Sequence, residues 1–275
     1  MSKFDELYMR DVYPAIRDFS IEICGEFLED RDYLHRNCKR RFELAVSAIE
    51  EIAKQKPVVR IANVSGMNLG EPDPFWLTYL EKVTKAAFDW TVFDHPESGT
   101  ATNPTVQKLL AQMNIKFSSS DFGNHRLDYK PGEYDVVICT EIAEHLNYSD
   151  FIWLLETARD MLGPNGVIIL STPNASYLYH RLLILCGFYD HLFHGDGPED
   201  VKSGLIGHLN YFDERRLERI LGLTGYRAIN VSSFNEVHGS AENKRFVYRM
   251  IIRTIRLFTH LVPRSKAIVF ATARK

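Results

Sequence analysis

The chain has 275 residues and a mass of 31.7 kDa, enough for one large domain or two small ones with a well-buried core. A hydrophobic fraction of 45% and a charged fraction of 25% exclude a disordered chain, and no apolar run reaches the roughly 18–20 residues that cross a bilayer. The formal charge of −3 hides an asymmetry: residues 244–275 hold nine Lys/Arg and no acid, which leaves 24 basic against 36 acidic residues, or −12, before them.

Residues 1–56 read as a helical extension. Phe42, Ala45, Val46, Ile49 and Ile52 recur at spacings of three and four, and Pro57 closes the pattern. From Pro57 onward short apolar runs alternate with helical stretches. The runs predict strands at 58–64, 89–93, 115–119, 134–140, 166–172, 228–234 and 267–272. Helices are predicted over 75–87, 105–113, 148–161 and 214–223, the last capped by Asp213. Continuous apolar strands separated by helices indicate an α/β fold, a mostly parallel sheet covered on both faces. Residues 57–275 then form one domain. Within it, 175–206 reads as a lid over substrate and 244–262 as a basic apolar helix.

Cys24, Cys38, Cys139 and Cys186 have no CxxC spacing, which argues against structural zinc or a dithiol redox site. The start MSKFDELYMRDVYP lacks the charged and apolar regions of a signal peptide, so the expected location is cytoplasmic.

In a parallel sheet, ligands bind beyond the C-terminal strand ends, so the residues there are the candidates for chemistry. Asn63-Val-Ser-Gly66 follows the first strand, where Ser65 and Gly66 suit a tight turn near a ligand. Asp94 follows the second strand and can accept two hydrogen bonds from a ribose diol. Asp121 follows the third and is either an acceptor for an adenine amino group or a turn residue. After the fourth strand comes Thr140-Glu-Ile-Ala-Glu-His-Leu146. If a helix starts there, Glu141, Glu144 and His145 share a face at i, i+3 and i+4. Two carboxylates and an imidazole suit either a divalent ion or a general base oriented by a glutamate. An acidic helix start favoured by the helix dipole is the bland alternative. Asn174, after the fifth strand, is placed at the site mouth.

The stretches YDVVICTEIAEHL (134–146), LLETARDMLGPNGVIILSTPN (154–174) and GHLNYFDERRLERILGLTGY (207–226) resemble class I S-adenosylmethionine (SAM)-dependent methyltransferases. The branch they resemble methylates small molecules, lipids and glycans. The resemblance implies a Rossmann-like, doubly wound sheet of seven strands, with the last strand antiparallel and inserted beside the fifth. It implies SAM as cofactor, held by Asn63, Ser65, Gly66, Asp94, Asp121, Thr140 and Glu141, with Glu141, Glu144 and His145 as catalytic candidates. The first motif departs from the family. Arg60 stands where an acid is expected, and Ala62 and Val64 replace two of three glycines. A narrower similarity, to methyltransferases of quinone-precursor hydroxyls and RNA 3′ ends, implies a divalent metal on Glu141, Glu144, His145 and His208.

Arg245, Arg249, Arg253 and Arg256 form a stripe on the predicted basic helix. It suits a packed helix edge first, then peripheral contact with an anionic membrane; nucleic acid is disfavoured by the acidic body. The expected function is methyl transfer from SAM to a hydroxyl of a glycan, lipid-linked saccharide or other small molecule. The competing expectation, motivated by the degenerate first motif, is a non-catalytic binding protein of the same fold.

Overall fold

The computed structural model describes residues 3–15, 29–66, 73–122, 124–187, 208–235, 254–255 and 257–275. Eight strands form one sheet: β1 (Val58–Asn63), β2 (Ala87–Asp94), β3 (Lys116–Asp121), β4 (Arg126–Leu127), β5 (Tyr134–Thr140), β6 (Leu162–Pro173), β7 (Arg227–Phe234) and β8 (Ile268–Arg274). Their order is β4-β3-β2-β1-β5-β6-β8-β7. β1, β2, β3, β5 and β6 are parallel neighbours, and β8 runs antiparallel between β6 and β7. The Rossmann-like expectation with an inserted antiparallel last strand therefore holds.

Two details differ from the sequence reading. An eighth strand is present, the two-residue β4, too short to leave a hydrophobic pattern; it pairs antiparallel with β3. β6 also starts earlier than residue 166. Leu162 pairs with Tyr134, and a register shift then leads to Val167 opposite Val136. The Gly-Pro-Asn-Gly stretch that reads as a turn is carried inside this irregular strand start, where Asn165 takes φ 63°.

Among the described residues, six longer helices accompany the sheet: α1 (Glu29–Ala53), α2 (Asp73–Val83), α3 (Pro104–Gln112), α4 (Tyr148–Met161), α5 (Leu178–Leu185) and α6 (Glu214–Leu223). Their starts follow local chemistry. Asn103 accepts from the amides of Thr105 and Val106 ahead of Pro104 at the first helical position. Asn147 accepts from Asp150, and Asp213 from Arg216, as expected for α6.

The core has two halves, one on each sheet face. On one face Phe42, Ala45, Val46 and Ile49 of α1 pack with Trp76 of α2 and Trp90 of β2. The apolar stripe of the N-terminal extension thus belongs to the domain core. On the other face Phe151, Leu154 and Leu155 of α4 pack with Phe212 and Leu217. Cys139 is fully buried in β5, and burial pushes its thiol well above the usual range, so it is an unreactive core side chain.

The chain moves from β1 outward to β2 and β3, then returns to place β5 on the other side of β1. That reversal makes the C-terminal edge between β1 and β5 the switch point where a ligand crevice forms. Of the predicted lid, residues 188–206 lie outside the described residues. Arg245, Arg249, Arg253 and Arg256 lie outside them as well. Among the described residues near the C-terminus, Leu257, Phe258 and Leu261 are exposed. No described helix is long and apolar enough to cross a membrane.

Candidate cofactor and acceptor site at the sheet edge

The turn after β1 is held by Asn63. Its side chain accepts from the Ser65 amide at 2.9 Å and donates to the Gly66 carbonyl at 3.2 Å. The Val64 amide donates to Ile138 O, the Gly66 amide donates to Phe93 O, and the Ser65 hydroxyl accepts from the Thr140 amide at 2.6 Å. A side chain thus does the shaping that glycines do elsewhere, while the Val64 and Gly66 amides and the Ser65 hydroxyl tie the turn to both neighbouring strands. Gly66 is required by space as well as by backbone. It takes φ +70°, and a Cβ there would stand 2.6 Å from Asp94 Oδ2. The Asp94 carboxylate therefore packs directly against Gly66 at the sheet edge.

Asp94 Oδ1 accepts from the His95 amide at 2.7 Å at the end of β2. Next to it is a cleft of about 550 Å³ lined by Pro96, Ser119, Ser120, Asp121, His125 and Asp128 among others. Asp121 is engaged on both oxygens by Asn124, from its amide at 3.0 Å and its side chain at 2.7 Å. These bonds hold its carboxyl below the usual range. Asp121 thus serves as a turn residue and also lines this cleft.

At the end of β5 the structure corrects the expected helix face. Glu141 takes φ 53°, and only a single 3-10 turn, Ala143–His145, follows. The left-handed residue breaks the helical i, i+3, i+4 arrangement, so Glu141 does not share a helix face with Glu144 and His145. Glu141 accepts from Ser171 Oγ at 2.9 Å and pairs with Arg41 of α1 at 2.8 Å. Glu144 is buried and accepts from Thr172 Oγ1 at 3.0 Å. Burial, then the nearby Glu141, push its carboxyl well above the usual range, against the Thr172 hydrogen bond and Arg41.

His145 is half-exposed, and its ring lies 5.0 Å from that of His208 at 72°. His208 is drawn in by its neighbours, because the amides of Leu209 and Asn210 both donate to the Glu144 carbonyl. Among the described residues, Glu144, His145 and His208 are a group whose donor atoms lie within 4.8 Å of one another. Glu141 is not part of it, so the four-residue metal set becomes a three-residue set.

Asn174 is not at the site mouth. It is fully buried, donates to the carbonyls of Arg264 and Lys266, and accepts from Ser176. Its role is to lock the end of β6 to the segment before β8. Arg41 is the participant that motif reading passed over. Its signal was available: Arg41 precedes Ala45 and Ile49 by four and eight residues, a charge on the apolar stripe of α1.

A family model of the methyltransferase domain matches residues 73–231, more than half of the chain. The chain is similar to phosphoethanolamine N-methyltransferase 2 of Haemonchus contortus, solved with phosphomonomethylethanolamine and S-adenosylhomocysteine. Identity is 14% and the TM-score 0.53, over 100% of this chain and 61% of that one. Similarity to the CurJ carbon methyltransferase has 10% identity and a TM-score of 0.53, over 98% and 69% of the two chains. A SAM-dependent methyltransferase of Archaeoglobus fulgidus is 18% identical with a TM-score of 0.49, over 85% and 94%. No curated protein matches the sequence. The names of the first two denote nitrogen and carbon acceptors, so the shared fold does not select an acceptor atom.

Proposed function

The chain belongs to the class I SAM-dependent methyltransferase family, and on that premise we propose that it transfers a methyl group from SAM to a hydroxyl of a glycan, lipid-linked saccharide or other small molecule. The observation that carries this reading is a convergence at the switch point. A glycine–carboxylate cradle, Gly66 with Asp94, stands on one side of β1, and Glu141, Glu144 and His145 stand on the other. SAM supplies an electrophilic methyl on a sulfonium. Gly66 and Asp94 hold its ribose, the β2–β3 cleft takes its base, and Thr140 and Glu141 line its path toward β5. His145 faces the acceptor and takes the hydroxyl proton as the oxygen–methyl bond forms and the sulfur–methyl bond breaks. Glu144 and His208 orient it. Tyr179 and His180, partly exposed and backed by the buried Tyr177, form an aromatic cluster just beyond β6 suited to a sugar ring or an apolar group.

Transfer of labelled methyl from SAM to a panel of hydroxyl- and amine-bearing acceptors tests the reaction. Label in a base-stable ether supports it, and label only in amines overturns the hydroxyl assignment. A second reading is favoured by the three converging donors: Glu144, His145 and His208 hold a divalent ion that acidifies the hydroxyl. This donor set suits a borderline ion, and binding would require Glu144 to ionise. Full turnover in excess chelator would reject that reading.

A further inference from the structure

SAM ends in an α-amino acid, and its two opposite charges need partners in a crevice that excludes water. The β1 turn has little to offer it. The amides of Val64, Ser65 and Gly66 donate to Ile138 O, Asn63 Oδ1 and Phe93 O. The strand order shows where the amino-acid end falls. With the ribose at Asp94 on β2, a ligand crossing β1 arrives at β5 after two strand spacings, about 10 Å.

At that place lies an ion pair. Arg41 Nη1 is 2.8 Å from Glu141 Oε1, and Arg41 comes from α1, in the N-terminal extension. Among the described residues, Arg41 and Glu144 are the only Arg, Lys, Asp or Glu side chains that are buried, and both belong to this corner. A guanidinium is costly to bury, and here it is buried at the C-terminal end of β5, the strand next to β1. Glu141 is also held in a left-handed backbone that a non-glycine residue rarely adopts, a strain that the surroundings must impose.

We propose that the Arg41–Glu141 pair is the recognition element for the amino-acid end of the cofactor. The guanidinium receives the carboxylate, and the Glu141 carboxylate receives the ammonium. A cation and an anion held side by side are the complement of an α-amino acid zwitterion, and the planar arginine fork suits two carboxylates at once. The N-terminal extension thus replaces what the first turn has given up. This inference rests on the SAM reading of the site.

The test is calorimetric titration of the full chain with two ligands. One is S-adenosylhomocysteine. The other is 5′-methylthioadenosine, which keeps the adenosine and thioether but lacks the amino-acid end. Wild type is expected to prefer S-adenosylhomocysteine by about 100-fold, the worth of two charge-assisted contacts. Arg41→Gln and Glu141→Gln should each cut that preference at least about tenfold while methylthioadenosine affinity stays within about twofold. Arg41→Lys, which keeps charge but loses the fork, should fall between. An unchanged preference in both Gln variants overturns the inference, because a merely structural ion pair would not discriminate the ligands. If Arg41→Gln loses methylthioadenosine as well, its fold has failed and Glu141→Gln decides on the same criterion. Equal affinity of wild type for the two ligands overturns this inference alone. Binding of neither overturns the cofactor reading with it.

Discussion

At the β1 turn the amides of residues 64–66 have internal acceptors, and one neutral side chain, Asn63, ties the loop together. At the β5 end, one strand away, two acidic side chains crowd the corner; a cation from another element pairs with Glu141, while burial pushes the Glu144 carboxyl up. The first region spends its amides on the turn itself and on the two flanking strands, with no charged group involved. The second is held by an ion pair between a strand end and a helix of the N-terminal extension. A turn with Ala62 and Val64 where the motif would have glycines therefore keeps its shape through Asn63, and the charged side chains stand at the neighbouring strand end.

Breaking the charged region should cost the most. Arg41→Gln takes from Glu141 its guanidinium partner beside the buried Glu144, and about 3 kcal/mol of stability should be lost in denaturant unfolding. Arg41→Lys should recover part of it. A loss under about 0.5 kcal/mol would show that the corner does not need its cation. Breaking the neutral region should cost less. Asn63→Ala removes one acceptor and one donor in a buried turn, with an expected loss of about 1–3 kcal/mol. If Asn63→Ala exceeds Arg41→Gln, the contrast between the regions is reversed. His145→Ala sharpens it further. The ring is half-exposed, so stability should change by less than about 0.5 kcal/mol, whereas methyl transfer should fall by about 10²–10⁴-fold. Full activity in that variant removes the base role.

The smallest effect concerns the junction of the extension with α2. Arg10, then Lys82, hold the Asp11 carboxyl down, to about 2 from the usual 3.8. The stabilising contribution of this contact is complete above the usual value and disappears as pH falls through about 2. It is exposed and screened, so it should appear only as a slight acid-dependent loss that Lys82→Ala diminishes. An acid response unchanged in Lys82→Ala would show that the junction does not depend on Lys82.

Most of the frame was legible because parallel strands buried on both faces write unbroken apolar runs, as Tyr134–Thr140 does. The ends of those runs located Asp94, Thr140 and Glu141 correctly at the sheet edge. Three features were not legible, each for a definite reason. A helix face at 141–145 was expected from spacing, but spacing is silent about a single left-handed residue. Asn174 is polar and follows a strand, like a ligand-binding residue, yet its partners are carbonyls some ninety residues away. Arg41 lies in a basic run that reads as a solvated surface; only its register with Ala45 and Ile49 tells that it turns inward. Long-range pairing decides all three.

The central claim is that a SAM-type cofactor lies across β2, β1 and β5 despite the altered turn. Calorimetric titration of wild type and Asp94→Ala with S-adenosylhomocysteine tests it most directly. The account predicts saturable one-site binding with a dissociation constant of about micromolar order, weakened at least about tenfold by Asp94→Ala. No binding to wild type at millimolar ligand, or equal binding by the two proteins, would contradict it.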